Sequence, residues 1–227
     1  AYLTPFKSRK NLKIITNAQT KKVNIVNGRA SSVEIDTKSN IATISAKKEI
    51  ILSAGSIGSP QTLMLSGIGS GEELQNLGIN VIRDLDGVGK NLQDHLQIRT
   101  IYQVDNTVTL NQRARTPWGR AMMGLEYFLK KTGPLTMPPS QLGAFAKSDP
   151  SQLSANIEWH VQPLSLDKFG SPLHRYNAIT PSVCNLRPSS RGTVSLKSAN
   201  PHDAPAIAPN YLSTQEDLDV AVAGLRF

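Results

Sequence analysis

The chain has 227 residues, of which 39% are hydrophobic and 19% are charged, and this balance is typical of a folded protein with one large or two modest domains. No run of about 18 apolar residues predicts a membrane-spanning helix, and the single cysteine, Cys184, excludes an internal disulfide framework. The formal net charge of +8 comes from residues 1–48, because the rest of the chain carries equal numbers of acidic and basic side chains.

The first 48 residues are predicted to form a meander of about four short strands. Residues 11–16 and 22–26 are rich in aliphatic side chains, and Asn27-Gly28 is a dipeptide typical of a tight hairpin turn. The alternation continues after this turn, with a polar turn at 36–40, at the positions Val33, Ile35, Ile41 and Ile44.

The basic side chains of this meander have two interpretations. They belong to the solvated face of the hairpins, or they form a basic pole that attracts an anionic partner. Only Tyr2 and Phe6 in this segment are aromatic and able to stack on bases. We therefore predict no nucleic-acid partner.

The stretch "EIILSAGSIGSPQTLMLSGIG" (49–69) combines an aliphatic run, small residues and a short helix. The run at 49–55 predicts a parallel strand buried on both faces. Ser59 and Pro60 predict a helix N-cap and first helical residue, and Gly67 predicts the end of that helix. Small residues at a strand end let a cofactor's pyrophosphate or ribose approach the backbone. Tight packing of helix on strand is the alternative interpretation.

The remaining elements are predicted from periodicity and turn residues. A short helix is expected at 72–77 with Gly78 at its end, a glycine-containing loop at 84–95, a strand at 96–104 and a helix at 117–131. Four strand segments separated by prolines and glycines follow, and an amphipathic helix reaches the last residue. These patterns divide the chain into residues 1–92, 93–210 and 211–227, and both ends indicate a fragment of a longer protein.

Several common sites are not predicted. A dinucleotide-binding turn usually contains G-x-G-x-x-G, which this chain does not have, so we expect it to contribute to such a site without building one alone. The sequence also has no G-x-S-x-G motif of a hydrolase. We predict no metal site, because the possible ligands show no ligand spacing: His95, His160, His174, His202 and Cys184.

Four segments carry a family resemblance. "GSIGSPQTLMLSGIG" (55–69) with "LDGVGKNLQDH" (85–95) resembles the second signature of the glucose–methanol–choline (GMC) flavoprotein oxidoreductases, which include choline and alcohol dehydrogenases. "LRPSSRGTVSLKS" (186–198) and "PNYLSTQEDLDVAVAGLR" (209–226) are similar to later segments of the same proteins. Thr62 departs from the pattern, which prefers an aliphatic residue there.

The resemblance implies the fold class α+β or α/β. Residues 1–92 would be the C-terminal portion of the first FAD-binding segment, a β-meander plus a parallel strand of a Rossmann-like domain. Residues 93–210 would form an antiparallel-sheet substrate domain with flanking helices, and 211–227 a truncated helix. The cofactor would be FAD. The catalytic base is expected beyond residue 227, so no residue of this chain is predicted to be catalytic.

The resemblance also implies site residues. For the cofactor they are Thr20, whose backbone would meet the adenine, and Ala54, Gly55 and Ser59 near the ribose or pyrophosphate. A polar hairpin residue is the alternative for Thr20.

On the substrate side, Gln141 would lie where relatives place a glutamate against a quaternary ammonium ion, and its neutral amide favours an uncharged alcohol. His174 would reach the mouth of the site. The alternatives are a surface strand residue for Gln141 and a solvated loop residue for His174.

The loop between the two domains is dense in polar residues: Asn91, Asp94 and His95. A structural role in holding the loop backbone is favoured over an acid–base pair, because sequence neighbours rarely face one another.

The predicted function is part of an FAD-dependent oxidoreductase that converts a primary or uncharged alcohol to an aldehyde by hydride transfer, inactive as a fragment. A non-catalytic module that binds an anionic partner through the basic pole is the alternative, and an inert truncated product is a third possibility. The electron acceptor is not predicted. The single cysteine indicates a reducing, cytoplasmic location, with peripheral membrane association left open.

Overall fold

The computed structural model describes residues 2–37, 40–136, 138 and 140–226, which form two compact units. The first unit extends to Leu92 and includes Arg191–Asn210, and the second comprises Gln93–Ser190 and the residues from Tyr211 onward. Residues 191–210 thus belong to the first unit, whereas the sequence grouped them with 93–190. The reason is backbone pairing: Leu92 and Gly192 exchange N–H···O bonds of 2.9 and 2.8 Å, which no local pattern reveals.

A three-stranded antiparallel sheet opens the first unit. Its strands, in spatial order, are β1 (Ala18–Val26), β2 (Arg29–Thr37) and β3 (Ile41–Ser45). The predicted Asn-Gly turn is confirmed, since Asn27 and Gly28 have φ of 50° and 74°, as a type I′ hairpin requires. Part of the predicted turn at 36–40 lies outside the described residues.

Two predicted strands are absent from the described residues, and those predictions are wrong. Residues 11–16 have no ladder partners, and neither have residues 49–55, where Ile51 is 75% exposed and Gly55 already begins a helix. A strand exists only where a neighbour completes its backbone hydrogen bonds, whereas an aliphatic run predicts burial without specifying that neighbour. The parallel pairing of this unit lies instead between β4 (Ile68–Gly69) and β5 (Arg83–Asp84).

The described part of the first unit contains the α-helices α1 (Gly55–Leu65) and α2 (Gly71–Asn76) and a 3-10 turn at Thr4–Phe6. α1 begins at Gly55, and Pro60 lies inside it, so the predicted start at Ser59-Pro60 is wrong. Pro60 is near enough to the helix start to remove a single backbone hydrogen bond.

The end of α1 is tied to β1 through one hydroxyl. The Val23 N–H donates to Ser66 Oγ at 2.8 Å, and this hydroxyl donates to the Thr62 carbonyl at 2.6 Å. Thr62 itself, unexpected at this position, is buried, and its hydroxyl donates to the Gly58 carbonyl at 2.8 Å. The threonine is therefore accommodated because its polar group is satisfied within the helix.

The second unit contains a five-stranded antiparallel sheet. Its order is β6-β10-β9-β8, with β7 also pairing with β10. The strands are β6 (Gln97–Arg99), β7 (Tyr102–Gln103), β8 (Leu142–Ala146), β9 (Ile157–Gln162) and β10 (Ala178–Asn185). The strand predicted at 96–104 is thus divided into two, and a short hairpin of the first unit, β11 (Thr193–Ser195) and β12 (Ala206–Ala208), completes the strands of the fold.

The second unit also contains the helices α3 (Leu110–Arg113), α4 (Pro117–Lys130) and α5 (Gln215–Arg226). The helix predicted at 117–131 is confirmed, and its cap is visible in the Gly119 N–H that donates to Thr116 Oγ1 at 3.0 Å. α5 covers a core formed by Ile157, Val183 and Val220. The predicted fold class, mixed helices and sheets with an antiparallel sheet in the second part of the chain, is confirmed.

Candidate functional site

The N-terminus of α1 is the candidate cofactor-binding feature of the first unit. Residues 53–56 are all exposed, and Ala54 at the N-cap makes no side-chain cap. The first N–H groups of a helix have no intrahelical partners, so they remain available to an acceptor from outside. Gly55 has φ +76°, and a Cβ added there would meet nothing within 4 Å. The backbone is thus open to a large ligand at this point.

Ser59 stabilises the turn that precedes α1. Its Oγ accepts a hydrogen bond from the Ala54 N–H at 3.1 Å, which fixes the turn that leads into the helix. Small side chains, an uncapped helix start and the positive end of the helix dipole together suit the phosphate or ribose of a dinucleotide. The residues present therefore fit FAD as the cofactor that the resemblance implies.

Thr20 lies on β1 at an irregularity of the sheet. The register shifts between Thr20 and Lys22, and the Thr20 carbonyl accepts from Gln19 Nε2 at 3.3 Å. Bulges re-aim side chains and interrupt pairing, and they are frequent next to binding sites. The contact of this backbone with adenine stays a prediction.

Two basic side chains of the meander bind to acceptor groups within the meander itself. Lys21 Nζ lies 2.7 Å from Glu34 Oε1, and this hydrogen bond lowers the pKa of the Glu34 carboxyl despite the opposing effect of burial. Arg29 Nη2 donates to the Lys47 carbonyl at 2.9 Å. These two cations contribute to holding the three strands together.

The polar loop at 91–95 contacts several separate segments. Asn91 has φ 59°, the left-handed region that asparagine tolerates. Asp94 accepts a short hydrogen bond from the Tyr211 hydroxyl, and this bond raises the pKa of Tyr211, with smaller contributions from burial and from the Asp94 charge. His95 Nε2 lies 3.1 Å from the Leu186 carbonyl. Asp94 and His95 thus engage different partners.

Gln141 directly precedes the edge strand β8. Its N–H donates to the Val161 carbonyl at 3.0 Å, and the residue is half-buried. The backbone is thereby fixed to β9 while the amide side chain stands at the end of the edge strand. Its role against a substrate stays a prediction.

His174 is held through both ring nitrogens. Nδ1 lies 3.0 Å from Ser165 Oγ and 3.1 Å from the Tyr176 hydroxyl, and Nε2 lies 3.0 Å from Asp167 Oδ1. The ring also stacks on Tyr176, with centroids 4.9 Å apart. Any contact with a substrate requires that one of these bonds be released.

This cluster places a serine, a histidine and an aspartate within hydrogen-bond distance, which the sequence did not predict. It is not a hydrolase triad. Ser165 is fully buried, and its Oγ accepts from Asn111 Nδ2 at 3.0 Å, so the hydroxyl has no path to a substrate. The cluster stabilises the loop that carries His174.

Two further polar groups of the second unit were missed by the sequence. Asp217 of α5 is 2% exposed and accepts hydrogen bonds from the N–H groups of Ser189 and Ser190 at 2.8 and 2.9 Å. Burial alone would raise the pKa of Asp217, but the hydrogen bonds from Ser190 and Ser189 outweigh burial and lower it. The pKa of Cys184 is raised by burial and then by the Glu158 charge, so its thiol is protonated at neutral pH.

Across the described residues, every helix is too short or too polar to cross a bilayer.

Comparison with known proteins gives consistent relatives over almost the whole chain. It is 39% identical to an alcohol dehydrogenase [acceptor] of Pseudomonas putida, covering all of this chain and 41% of that protein. It is also 39% identical to the mitochondrial choline dehydrogenase of Homo sapiens, covering 96% of this chain and 37% of that protein. The chain therefore spans about two fifths of the length of these curated relatives.

A solved structure also matches almost the whole chain. A formate oxidase of Aspergillus oryzae, carrying a mutation studied for its effect on FAD modification, superposes with a TM-score of 0.88 at 25% identity over 98% of this chain and 44% of that one. The N-terminal domain of GMC oxidoreductases matches residues 1–97, and their C-terminal domain matches residues 188–227. With both domains matched in the expected order, the chain belongs to the GMC oxidoreductase family.

Proposed function

We propose that this chain is part of an FAD-dependent oxidoreductase that oxidises a primary or uncharged alcohol to an aldehyde. The observation that carries the proposal is the open N-terminus of α1, with Gly55 in a left-handed conformation, inside a segment that matches the family. The named activities of the relatives, an alcohol dehydrogenase and a choline dehydrogenase, support the reaction class.

The first unit supplies binding and orientation. The N–H groups at the start of α1 would donate to the anionic or ribose oxygens of the cofactor, and the small side chains of Ala54 and Gly55 would leave room for it. Ser59 keeps this turn in place through its bond to the Ala54 N–H. The Thr20 backbone, at the β1 irregularity, would contact the adenine. When bound, FAD supplies the acceptor for the hydride of the alcohol.

The second unit supplies substrate selection. A neutral amide at Gln141 offers a hydrogen bond to an uncharged alcohol but no charge for a quaternary ammonium ion, whose desolvation a carboxylate would offset. His174, fixed by Ser165 and Asp167, orders the loop near the predicted mouth of the site. The base that accepts the hydroxyl proton is assigned to no residue of this chain.

The cofactor assignment is tested by Gly55→Leu in the native protein that contains this chain. Gly28→Leu is the matched control, because Gly28 has φ +74° and its added Cβ likewise meets nothing within 4 Å. Both variants introduce the same left-handed strain, about 1–2 kcal/mol. Only Gly55→Leu fills the space that the cofactor is proposed to occupy.

We expect the flavin content per protein to fall at least tenfold in Gly55→Leu and to stay near the wild-type value in Gly28→Leu. Visible absorbance after gel filtration measures this content, and far-ultraviolet circular dichroism checks folding. Equal flavin retention in the two variants would remove Gly55 from the cofactor site.

A further inference from the structure

One rung of the sheet in the second unit brings together side chains that bind metal ions. Gln97 of β6 lies opposite Cys184 of β10, and Cys184 lies opposite Glu158 of β9. Directly opposite residues of antiparallel strands project their side chains from the same face of the sheet. Cys184 and Glu158 are therefore neighbours on one face, and His95 stands two residues before Gln97, just ahead of β6.

The distances confirm this proximity. One ring nitrogen of His95, one carboxylate oxygen of Glu158 and the sulfur of Cys184 all lie within 4.8 Å of one another. Cys184 is 2% exposed and the Glu158 side chain is 18% exposed, whereas His95 is exposed. The cluster thus has a buried floor and an opening on the side of His95.

Neighbouring groups orient two of the three side chains. His95 Nε2 lies 3.1 Å from the Leu186 carbonyl, and because a carbonyl only accepts, the neutral ring carries its hydrogen on Nε2 and its lone pair on Nδ1. His160 Nε2 lies 3.3 Å from Glu158 Oε1. Such outer partners, a carbonyl on the imidazole and a donor on the carboxylate, are what metal ligands have in established sites.

We propose that His95, Glu158 and Cys184 bind a divalent transition-metal ion of the zinc class. Thiolate, imidazole and carboxylate are the ligands that zinc takes in proteins, and three protein ligands leave a fourth position for water. Cys184 binds as the thiolate, and its proton passes to solvent. The site shares no residue with the cofactor and substrate residues of the proposed function and does not depend on them.

The ion draws the three atoms slightly together. Bonds of about 2.3 Å to sulfur and about 2.0–2.2 Å to nitrogen and oxygen place the ligand atoms of a tetrahedral site roughly 3.5 Å apart. The exposed His95 ring, held by a single bond to Leu186, is the side chain that moves. The bound ion joins the chain before β6 to β9 and β10.

Cobalt(II) titration of the purified, folded chain tests the proposal. Since Cys184 is the only cysteine, a cobalt–thiolate charge-transfer band in the near ultraviolet reports on this site alone. We expect the band to saturate at one cobalt per chain and to disappear on addition of zinc. Cys184→Ser removes the band, and His95→Ala and Glu158→Gln each weaken cobalt binding at least tenfold.

His202→Ala is the control, because His202 lies in the first unit, where it contacts Asp36 at 2.8 Å, and its loss leaves cobalt binding unchanged. If Cys184→Ser fails to fold, the exposed His95 decides the question. Absence of a charge-transfer band at millimolar cobalt overturns the proposal. A band that His95→Ala and Glu158→Gln leave unaltered also overturns it, because it shows a metal bound to the thiolate alone.

Discussion

Asp217→Asn should destabilise the second unit far more than expected for a substitution that hardly changes the size of the side chain. The carboxylate is 2% exposed and accepts from Asn185 Nδ2 and from the N–H groups of Ser189 and Ser190. An amide has one acceptor oxygen, so one of these buried N–H groups loses its acceptor, and the other bonds lose their charge. An unsatisfied buried donor costs about 1–3 kcal/mol and the lost charge about 1 kcal/mol more, which gives about 2–4 kcal/mol.

Urea unfolding followed by tryptophan fluorescence measures this loss, since Trp118 and Trp159 are the chain's two tryptophans and both belong to the second unit. Asp219→Asn is the control, because Asp219 is exposed on the same helix and should change stability by less than about 0.5 kcal/mol. A loss of stability from Asp217→Asn no larger than that of the control would show that the buried carboxylate does not stabilise the second unit.

The loss of stability caused by Asp217→Asn also depends on pH. Because hydrogen bonding lowers the pKa of Asp217 in the folded state, its stabilisation is fully present above the pKa of an unfolded aspartate. It is lost as the pH falls through the folded pKa. The stability difference between wild type and Asp217→Asn should therefore shrink on acidification, and a difference that grows would contradict the assigned sign.

Two further predictions concern the proposed function. Gln141→Glu in the native protein should raise the ratio of kcat/KM for a cationic alcohol to that for an uncharged alcohol of similar size by about tenfold. This factor corresponds to one charge pair of roughly 1.4 kcal/mol. An unchanged ratio would remove Gln141 from the substrate site. The isolated chain, without a G-x-G-x-x-G turn, should retain no FAD after gel filtration, and retained flavin bands would show that it holds a complete cofactor site.

Short sequence motifs correctly predicted the elements whose conformation depends only on neighbouring residues. The helix predicted from 117 onward is α4, which begins at Pro117, and the structure adds the hydroxyl of Thr116 as its cap. The left-handed pair Asn27-Gly28 predicted the β1–β2 hairpin for the same reason, since its conformation depends on two residues alone. Most strands of the second unit followed from alternation bounded by prolines and glycines.

Pairing over long distances was not predictable. The aliphatic runs at 11–16 and 49–55 indicate burial. Whether they become strands depends on a neighbouring strand that completes their backbone hydrogen bonds, and the local sequence does not identify that strand. The contact of His174 with Ser165, and the proximity of His95 to Glu158 and Cys184, likewise depend on loop closure and strand register. A shift of one residue in register would separate Cys184 from Glu158, so no spacing rule along the chain could have found them.

The most direct test of the account is anaerobic titration of the native flavin-containing protein with a series of small alcohols, followed through the visible flavin absorption. We expect primary, uncharged alcohols to bleach the bound flavin completely, with choline reducing it more slowly. A flavin that dithionite reduces but that no alcohol in the series reduces would contradict the proposed function.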